Sequence, residues 1–395
     1  LANAHSHAFH RVLRSRTQAG RGTFWTWRDL MYRAAERLQP DTYHRLARAT
    51  FAEMAMAGVT CVGEFHYVHH QPDGAPYDNR NAMGDALVEA AREVGIRITL
   101  LDTLYLHGGL TDAGYADPTF AQRRFSDGNV DAWIDRVGMR DATEGCRVGA
   151  AIHSVRAVGP AAIGAVAGWA GDAGAVVHAH VSEQVGENEA CLARHGGTPT
   201  RVFADAGALT DRFTAVHATH VTDKDVALLA TAGATVAMCP TTERDLGDGI
   251  GPTREFAAAG VGMSLGTDSQ AVIDVFEEAR AVELDERLRS RERGVHTASD
   301  LLAMATSVGH RSLGWEDAGT IAMGLRADLV TVSLTSVRTA GTDAGSAIET
   351  AVFAATAADV TNVIVDGRTV VADRVHHRLD VAAELRTTIT ELIDP

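Results

Sequence analysis

Three histidines fall within the first ten residues: His5 and His7, separated by one serine, and His10 three residues on. In an extended strand, residues i and i+2 point to the same face. His5 and His7 can therefore aim two imidazoles at one ion, and neutral imidazole binds zinc at about 2.0–2.1 Å. Titratable groups recur along the chain at Glu64, His66 and Tyr67, at His153, at His178 and His180 with Glu183 just beyond, at His217 and His220, and at Asp268. One histidine of the 178–180 pair and the Asp268 carboxylate, added to His5 and His7, make three nitrogen ligands and one oxygen ligand. That donor set suits a divalent metal with a position kept for water.

Each of these groups stands at or near the end of a short apolar run. Eight runs read as strands: Ala2–His5, Val59–Phe65, Ile96–Asp102, Arg147–His153, Ala175–Val181, Phe213–His217, Ala234–Cys239 and Gly260–Gly266. They are near-continuously apolar, as parallel strands covered on both faces are. Amphipathic stretches lie between them. The clearest runs from Asp41 to Ala57, with Asp41 as N-cap and Gly58 as its stop; another runs from Ala82 to Val94 and closes at Gly95. Eight βα units predict a (β/α)8 TIM-like barrel, α/β in class, although a doubly wound sheet fits the same pattern. In a parallel barrel functional groups gather at the C-terminal strand ends, which would bring these side chains to one rim.

After Gly319 the texture changes. GLRADLVTVSL and VTNVIVDGRTVV are β-rich, with Asp366-Gly367 as a turn. The expected organisation is a barrel over 1–318, a small β-sandwich part over 319–375, and a terminal segment over 376–395 carrying a helix from Val381 to Leu392. Leu334 to Ser346 reads as a loop. Glu277, Glu278 and the charged run Glu283 to Arg293 read as a solvated helix face.

The chain has 395 residues, 46% hydrophobic and 22% charged, a composition that buries a substantial core. Its 51 acidic against 36 basic residues give a net charge of -15. That excludes a broad basic surface for nucleic acid, while a few local arginines can still hold a small acid. No run approaches the ~20 apolar residues of a membrane helix, so neither nucleic acid nor membrane is an expected partner. Cys61, Cys146, Cys191 and Cys239 form no C-x-x-C pair and read as buried free thiols of a cytoplasmic protein.

NAHSHAFHR (3–11), HAHVSEQ (178–184), VHATHVTD (216–223), CPTTERDLGDG (239–249) and LGTDS (265–269) resemble the amidohydrolase superfamily of metal-dependent hydrolases. TFWTWRDLMYR (23–33), EFHYVHH (64–70) and IHSVR (152–156) narrow the resemblance to its N-formimidoyl-L-glutamate deiminases. The resemblance implies a (β/α)8 barrel of the metal-dependent hydrolase type holding one zinc ion (Zn2+) per subunit through His5, His7, His180 and Asp268. It implies Glu183 as proton carrier, His217 as catalytic histidine, and Asp268 as base as well as ligand. For a small dicarboxylate substrate it implies Arg28 and Arg156, with His10, Tyr67 and His153 beside them; an arginine fork suits a carboxylate. The reaction implied is hydrolytic deimination to N-formyl-L-glutamate and ammonia, in histidine degradation, by a homodimer. The chain departs from the family at His10, where Gln is usual, and at Arg244 and Asp245, where a small residue and Asn are usual.

Superfamily members carry β-strands ahead of the H-x-H pair that join the C-terminal strands. The resemblance therefore implies an incomplete sandwich here, with an exposed or partly paired sheet edge. Two other functions stay open. A superfamily deaminase of a nucleobase-like or triazine ring would want an aromatic slot and amide contacts rather than two arginines. A truncated, metal-binding form without turnover is the other. Iron, manganese or nickel would also accept these ligands. His66, His69 and His70 read as structural, His107 as ordinary, Trp25 and Trp27 as pocket or core, and His178 as sharing a face with His180.

Overall fold

Eight strands form one parallel sheet: β1 (Ala2–Ser6), β2 (Cys61–His66), β3 (Arg97–Leu104), β4 (Cys146–Ile152), β5 (Val177–Val181), β6 (Phe213–His217), β7 (Thr235–Met238) and β8 (Gly262–Leu265). The computed structural model describes residues 1–18 and 21–393. Spatial order follows chain order without reversal, which excludes the doubly wound alternative, where the order must reverse. A parallel bridge between Ser6 and Asp268 brings the last strand back to the first. His7 N–H donates to Asp268 O (3.1 Å) and Asp268 N–H to His5 O (3.0 Å). The seam is reinforced by the Asn3 amide, which donates to Thr267 Oγ1 (2.7 Å) and accepts from Thr267 N–H (3.0 Å). Closure of the barrel thus sets Asp268 beside His5 and His7.

Helices cover the outside of the sheet. Several start on proline at their first turn, including Pro40–Met56, Pro160–Ala173 and Pro199–Asp205, where the missing N–H costs nothing. In the first of these the cap is Gln39, not Asp41: Gln39 N–H donates to Thr42 Oγ1 (2.9 Å), and Pro40 takes the first helical position. The helix Val275–Ser290 also differs from expectation. Glu278, Glu283 and Glu286 are fully buried. Glu278 accepts from Thr241 N–H, Glu283 from His296 N–H, and Glu286 from Thr253 Oγ1. Backbone and hydroxyl donors from neighbouring loops turn an acidic stripe into a set of internal staples.

Beyond the barrel, β9 (Leu329–Val332), β10 (Val360–Val365), β11 (Arg368–Ala372) and β12 (Val375–His376) form an antiparallel sheet in chain order. Asp366 and Gly367, both at positive φ (48° and 76°), make the tight turn between β10 and β11. These strands make one open sheet with β9 and β12 at its ends, not two stacked sheets. Val360, Val363, Val365, Val370 and Val371 join the same apolar core as the barrel. Arg97, at the start of β3, bonds Asp328 and Asp366 from below. The helix Val381–Ile393 follows; residues 394 and 395 lie outside the described residues. All four cysteines are buried and free. No described helix is long and apolar enough to cross a membrane.

One buried ion cluster supports the rim. Arg136, on the helix Val130–Val137, bonds Asp102 of β3 through Nη1 and Nη2 and Asp127 through Nε and Nη2, each at 2.8 Å. Burial would raise both carboxyls, but Arg136, with His70 on Asp127, holds them well below the usual carboxylate range. His70 lies 3.2 Å from Asp127 and His69 bonds Thr103 O (2.9 Å), so the cluster fixes the segment that carries Tyr67. Removing the guanidinium leaves two buried acids uncompensated. Arg136→Met is expected to lose about 3–5 kcal/mol of stability, read as a lowered denaturation midpoint at neutral pH.

Candidate active site

Strand β1 ends at Ser6, and the chain turns at once into a 3-10 helix, Ala8–Leu13, that carries His10. The buried Glu64 carboxylate holds this turn by accepting from Ser6 Oγ (2.6 Å) and Ala8 N–H (2.7 Å). Burial pushes Glu64 up to about 8, against the pull of those two donors. His7 Nδ1 faces Phe65 O (3.0 Å) and His180 Nδ1 faces His153 O (2.9 Å). A ring that gives its Nδ1 proton to a carbonyl presents Nε2 as a lone pair. The Nε2 atoms of His5 and His180 are 3.2 Å apart, and those of His5 and His7 are each 3.4 Å from Asp268 Oδ1. His5 Nδ1 has no partner among the described residues. Burial lowers His5 to about 3 and pushes His7 and His180 down as well, which favours the neutral ring, the form that binds metal. His5, His7 and His180 lie close enough to share an ion, and Asp268 forms overlapping groups of the same kind with His5 and His217 and with His7 and His10; imidazoles with a carboxylate fit a divalent ion.

Asp268 follows β8 with φ +41°, and His217 ends β6 with φ +68°. Non-glycine residues seldom adopt this region, and such strain collects where function over-determines the backbone. Burial would raise the Asp268 carboxyl, but the His5 bond and the neighbouring histidines hold it well below the usual range. His217 Nε2 lies 3.6 Å from Asp268 Oδ2 and 3.8 Å from Glu183 Oε1, and Nδ1 lies 3.3 Å from Glu243 Oε1. Burial disfavours the imidazolium, yet Glu243, Glu183 and Asp268 together raise this ring to about 10.

Glu243 is a residue that sequence reasoning passed over. It lies on the short helix Pro240–Leu246, and its Oε1 also accepts from Cys239 N–H (3.0 Å). The available signal was an acid four residues past Cys239, the end of the apolar run Ala234–Cys239. Glu243→Ala is expected to lower kcat by about 10–100-fold, as loss of an orienting partner does, with metal content unchanged. A kcat within twofold of the parent would remove the orienting role.

Above this floor opens a cavity of about 390 Å³. It is lined by His7, His10, Arg28, Tyr67, His153, Arg156, His180, Glu183 and Asp268, while His5 and His217 lie fully buried beneath the lining. The helix Phe24–Glu36 forms one wall. It contributes Trp25, Trp27 and Arg28, whose guanidinium stacks 4.4 Å from the Trp25 ring. Arg156 Nη2 donates to Glu183 Oε2 (3.0 Å), His10 Nε2 meets Tyr67 OH (3.1 Å), and His153 Nδ1 meets Ser154 Oγ (3.1 Å).

Several residues stand elsewhere than expected. His178 does share a strand face with His180, but its Nε2 bonds Ser312 O (2.8 Å). Two residues along a strand are about 6.6 Å along its axis, enough to take it below the cavity. His107 lines the cavity, stacked on Tyr115 at 4.4 Å. Arg244 pairs with Glu277 (3.2 Å) and does not line the cavity. His66, His69 and Asp102 also lie close enough to share an ion, but Arg136 already neutralises that carboxylate.

The sequence model of the Amidohydrolase family matches residues 1–370. The formimidoylglutamate deiminase of Pseudomonas aeruginosa is 36% identical over 389 residues, covering 95% of this chain and 84% of that protein. An amidohydrolase from Brucella melitensis superposes with a TM-score of 0.89 at 33% identity, over 99% of this chain and 88% of the other. An adenosine deaminase from Xanthomonas campestris with bound zinc superposes with a TM-score of 0.83 at 25% identity, over 98% and 83%.

Proposed function

The chain belongs to the amidohydrolase family, and on that premise we propose that it hydrolyses N-formimidoyl-L-glutamate to N-formyl-L-glutamate and ammonia. One observation carries this reading. A single cavity joins a His/Asp metal donor set to two guanidiniums, Arg28 and Arg156, in a chain of net charge -15. Two carboxylates on the substrate answer two arginines. The 36% identity to a formimidoylglutamate deiminase supports the same substrate. The cavity, about 390 Å³, lies at the small end of ligand sites, which suits a short acyclic molecule.

His5, His7, His180 and Asp268 would hold one zinc ion. Bound there, the ion supplies Lewis acidity and brings the pKa of water down toward about 7. Arg28 and Arg156 seat the carboxylates, with His10, Tyr67 and His153 offering further hydrogen bonds. Asp268 takes a proton from the attacking water, whose oxygen joins the formimidoyl carbon. His217 Nε2, facing both Asp268 and Glu183, stabilises the charge that builds on that oxygen. Glu183 passes a proton to the imino nitrogen. That first proton is the one Asp268 took from water; Asp268 next takes the proton of the new hydroxyl and Glu183 passes it to the same nitrogen, so that the C–N bond breaks with its electron pair on nitrogen, ammonia leaves, and the formyl C=O forms.

The wall of Phe24, Trp25, Trp27 and Tyr32 favours a second reading, in which a flat ring stacks there and loses an exocyclic amine. The likeness to an adenosine deaminase points the same way. The test is ammonia release by the zinc-loaded protein from N-formimidoyl-L-glutamate, adenosine and an aminotriazine. A clear preference in kcat/KM for the first substrate, with Arg28→Gln raising its KM, is expected. Preference for a ring substrate would replace the proposal. A filled metal site with no turnover on any of the three would leave a metal-binding protein.

A further inference from the structure

Arg156 is approached from two sides. Its Nη2 bonds Glu183 Oε2 at 3.0 Å, and its Nε lies 3.6 Å from Glu187 Oε2. Glu187 stands four residues past Glu183, on the helix Val185–His195, with its side chain wholly buried. Among the described residues, neither Glu187 carboxylate oxygen has a hydrogen-bond partner, and Arg156 is the cation recorded beside it. A buried carboxylate is costly unless a cation offsets it. Its presence at the cavity wall therefore points to Arg156.

Arg136 shows in the same molecule how one guanidinium can serve two acids. Its Nε–Nη2 edge holds Asp127 and its Nη1–Nη2 edge holds Asp102. In Arg156 the edge carrying Nε and Nη2 faces the two acids: Nη2 bonds Glu183, and Nε, which has no hydrogen-bond partner among the described residues, lies 3.6 Å from Glu187. The Nη1–Nη2 edge, the counterpart of the one that takes Asp102, is then available to a carboxylate entering the cavity that Arg156 lines.

We propose that Glu187 is a positioning residue: it holds the Nε edge of Arg156 so that this one guanidinium seats a substrate carboxylate and sets the Glu183 carboxylate at the same time. The inference rests on the reading of Arg156 and Glu183 given above. Its consequence is that carboxylate recognition and proton delivery are coupled through a single side chain. Burial and the neighbouring Glu183 charge push Glu187 up to about 7, against the pull of Arg156 and of the Glu183 and Ser182 backbone N–H groups.

Two readouts test it on the zinc-loaded full chain. The first compares kcat and KM of the parent, Glu187→Gln and Arg156→Gln on N-formimidoyl-L-glutamate and on N-propylformamidine, an amidine without carboxylates. If Arg156 only receives a carboxylate, the variants match the parent on the second substrate. Positioning instead predicts that both variants lose about tenfold or more in kcat on both substrates, as misplacement of a reacting group does. Equal kcat on the carboxylate-free amidine overturns the proposal. The second readout is crystallographic. Glu187→Gln is isosteric and is expected to melt near the parent temperature while losing the Arg156–Glu183 bond. A Glu183 carboxylate that stays in place in that variant overturns the proposal, whatever the rates. If the parent turns over neither amidine, the substrate reading fails, and the Glu183 position alone decides the positioning role.

Discussion

Glu183→Gln in the zinc-loaded protein is expected to lose about 10²–10⁴-fold in kcat while keeping its fold and its metal. Glutamine has the same shape and can still accept the Arg156 Nη2 bond that Glu183 Oε2 receives at 3.0 Å. It cannot carry a proton. Glu183 is outside the set of groups close enough to share an ion at this rim, so metal content should not change. KM should move little, because the arginines that would seat the substrate remain. Ammonia release, metal analysis and a melting curve on the same sample separate these quantities. A fall of less than about tenfold would take Glu183 out of the proton path.

Asp268→Asn is expected to be as damaging in rate and to differ in metal content. Asp268 Oδ1 lies 3.4 Å from both His5 and His7, and Oδ2 lies 3.6 Å from His217. Asparagine keeps the size but removes the one anionic member of the proposed ligand set and the proposed base together. A Lewis-acid site contributes several kcal/mol, so a loss of about a thousandfold or more follows. Chelation of the parent should give the same loss and should be reversed by added zinc. The variant should bind zinc weakly and recover little. Full metal occupancy in Asp268→Asn with near-parental activity would exclude both roles. The fold itself should survive, since the seam across Asp268 is made by its backbone N–H and C=O.

Local pattern was enough for eight buried strands with helices between them, while the choice of a barrel over a doubly wound sheet was made by their spatial order. Apolar runs without alternation mark strands covered on both faces, and the observed strands fall within about two residues of the runs, as Val59–Phe65 against Cys61–His66 shows. The H-x-H spacing is equally local: i and i+2 share a face in any strand. Motif resemblance supplied the rest of the rim, and the structure brings those side chains to one cavity and its floor.

Other features were beyond any window of sequence. The i, i+2 rule treats His178 and His180 alike, yet only the depth of the barrel separates a residue that meets Ser312 O from one that meets His5 Nε2, 175 residues away. The acidic stripe of Val275–Ser290 looks solvated until loops from elsewhere supply its donors. Glu243 and Glu187 look like ordinary surface acids until closure buries one against His217 and the other against Arg156. The left-handed backbones of His217 and Asp268 belong to this second group as well. Periodicity and spacing determine which elements form, because those depend on neighbours in the chain. Which polar atoms meet is decided by ring closure and burial, because those partners are neighbours only in space.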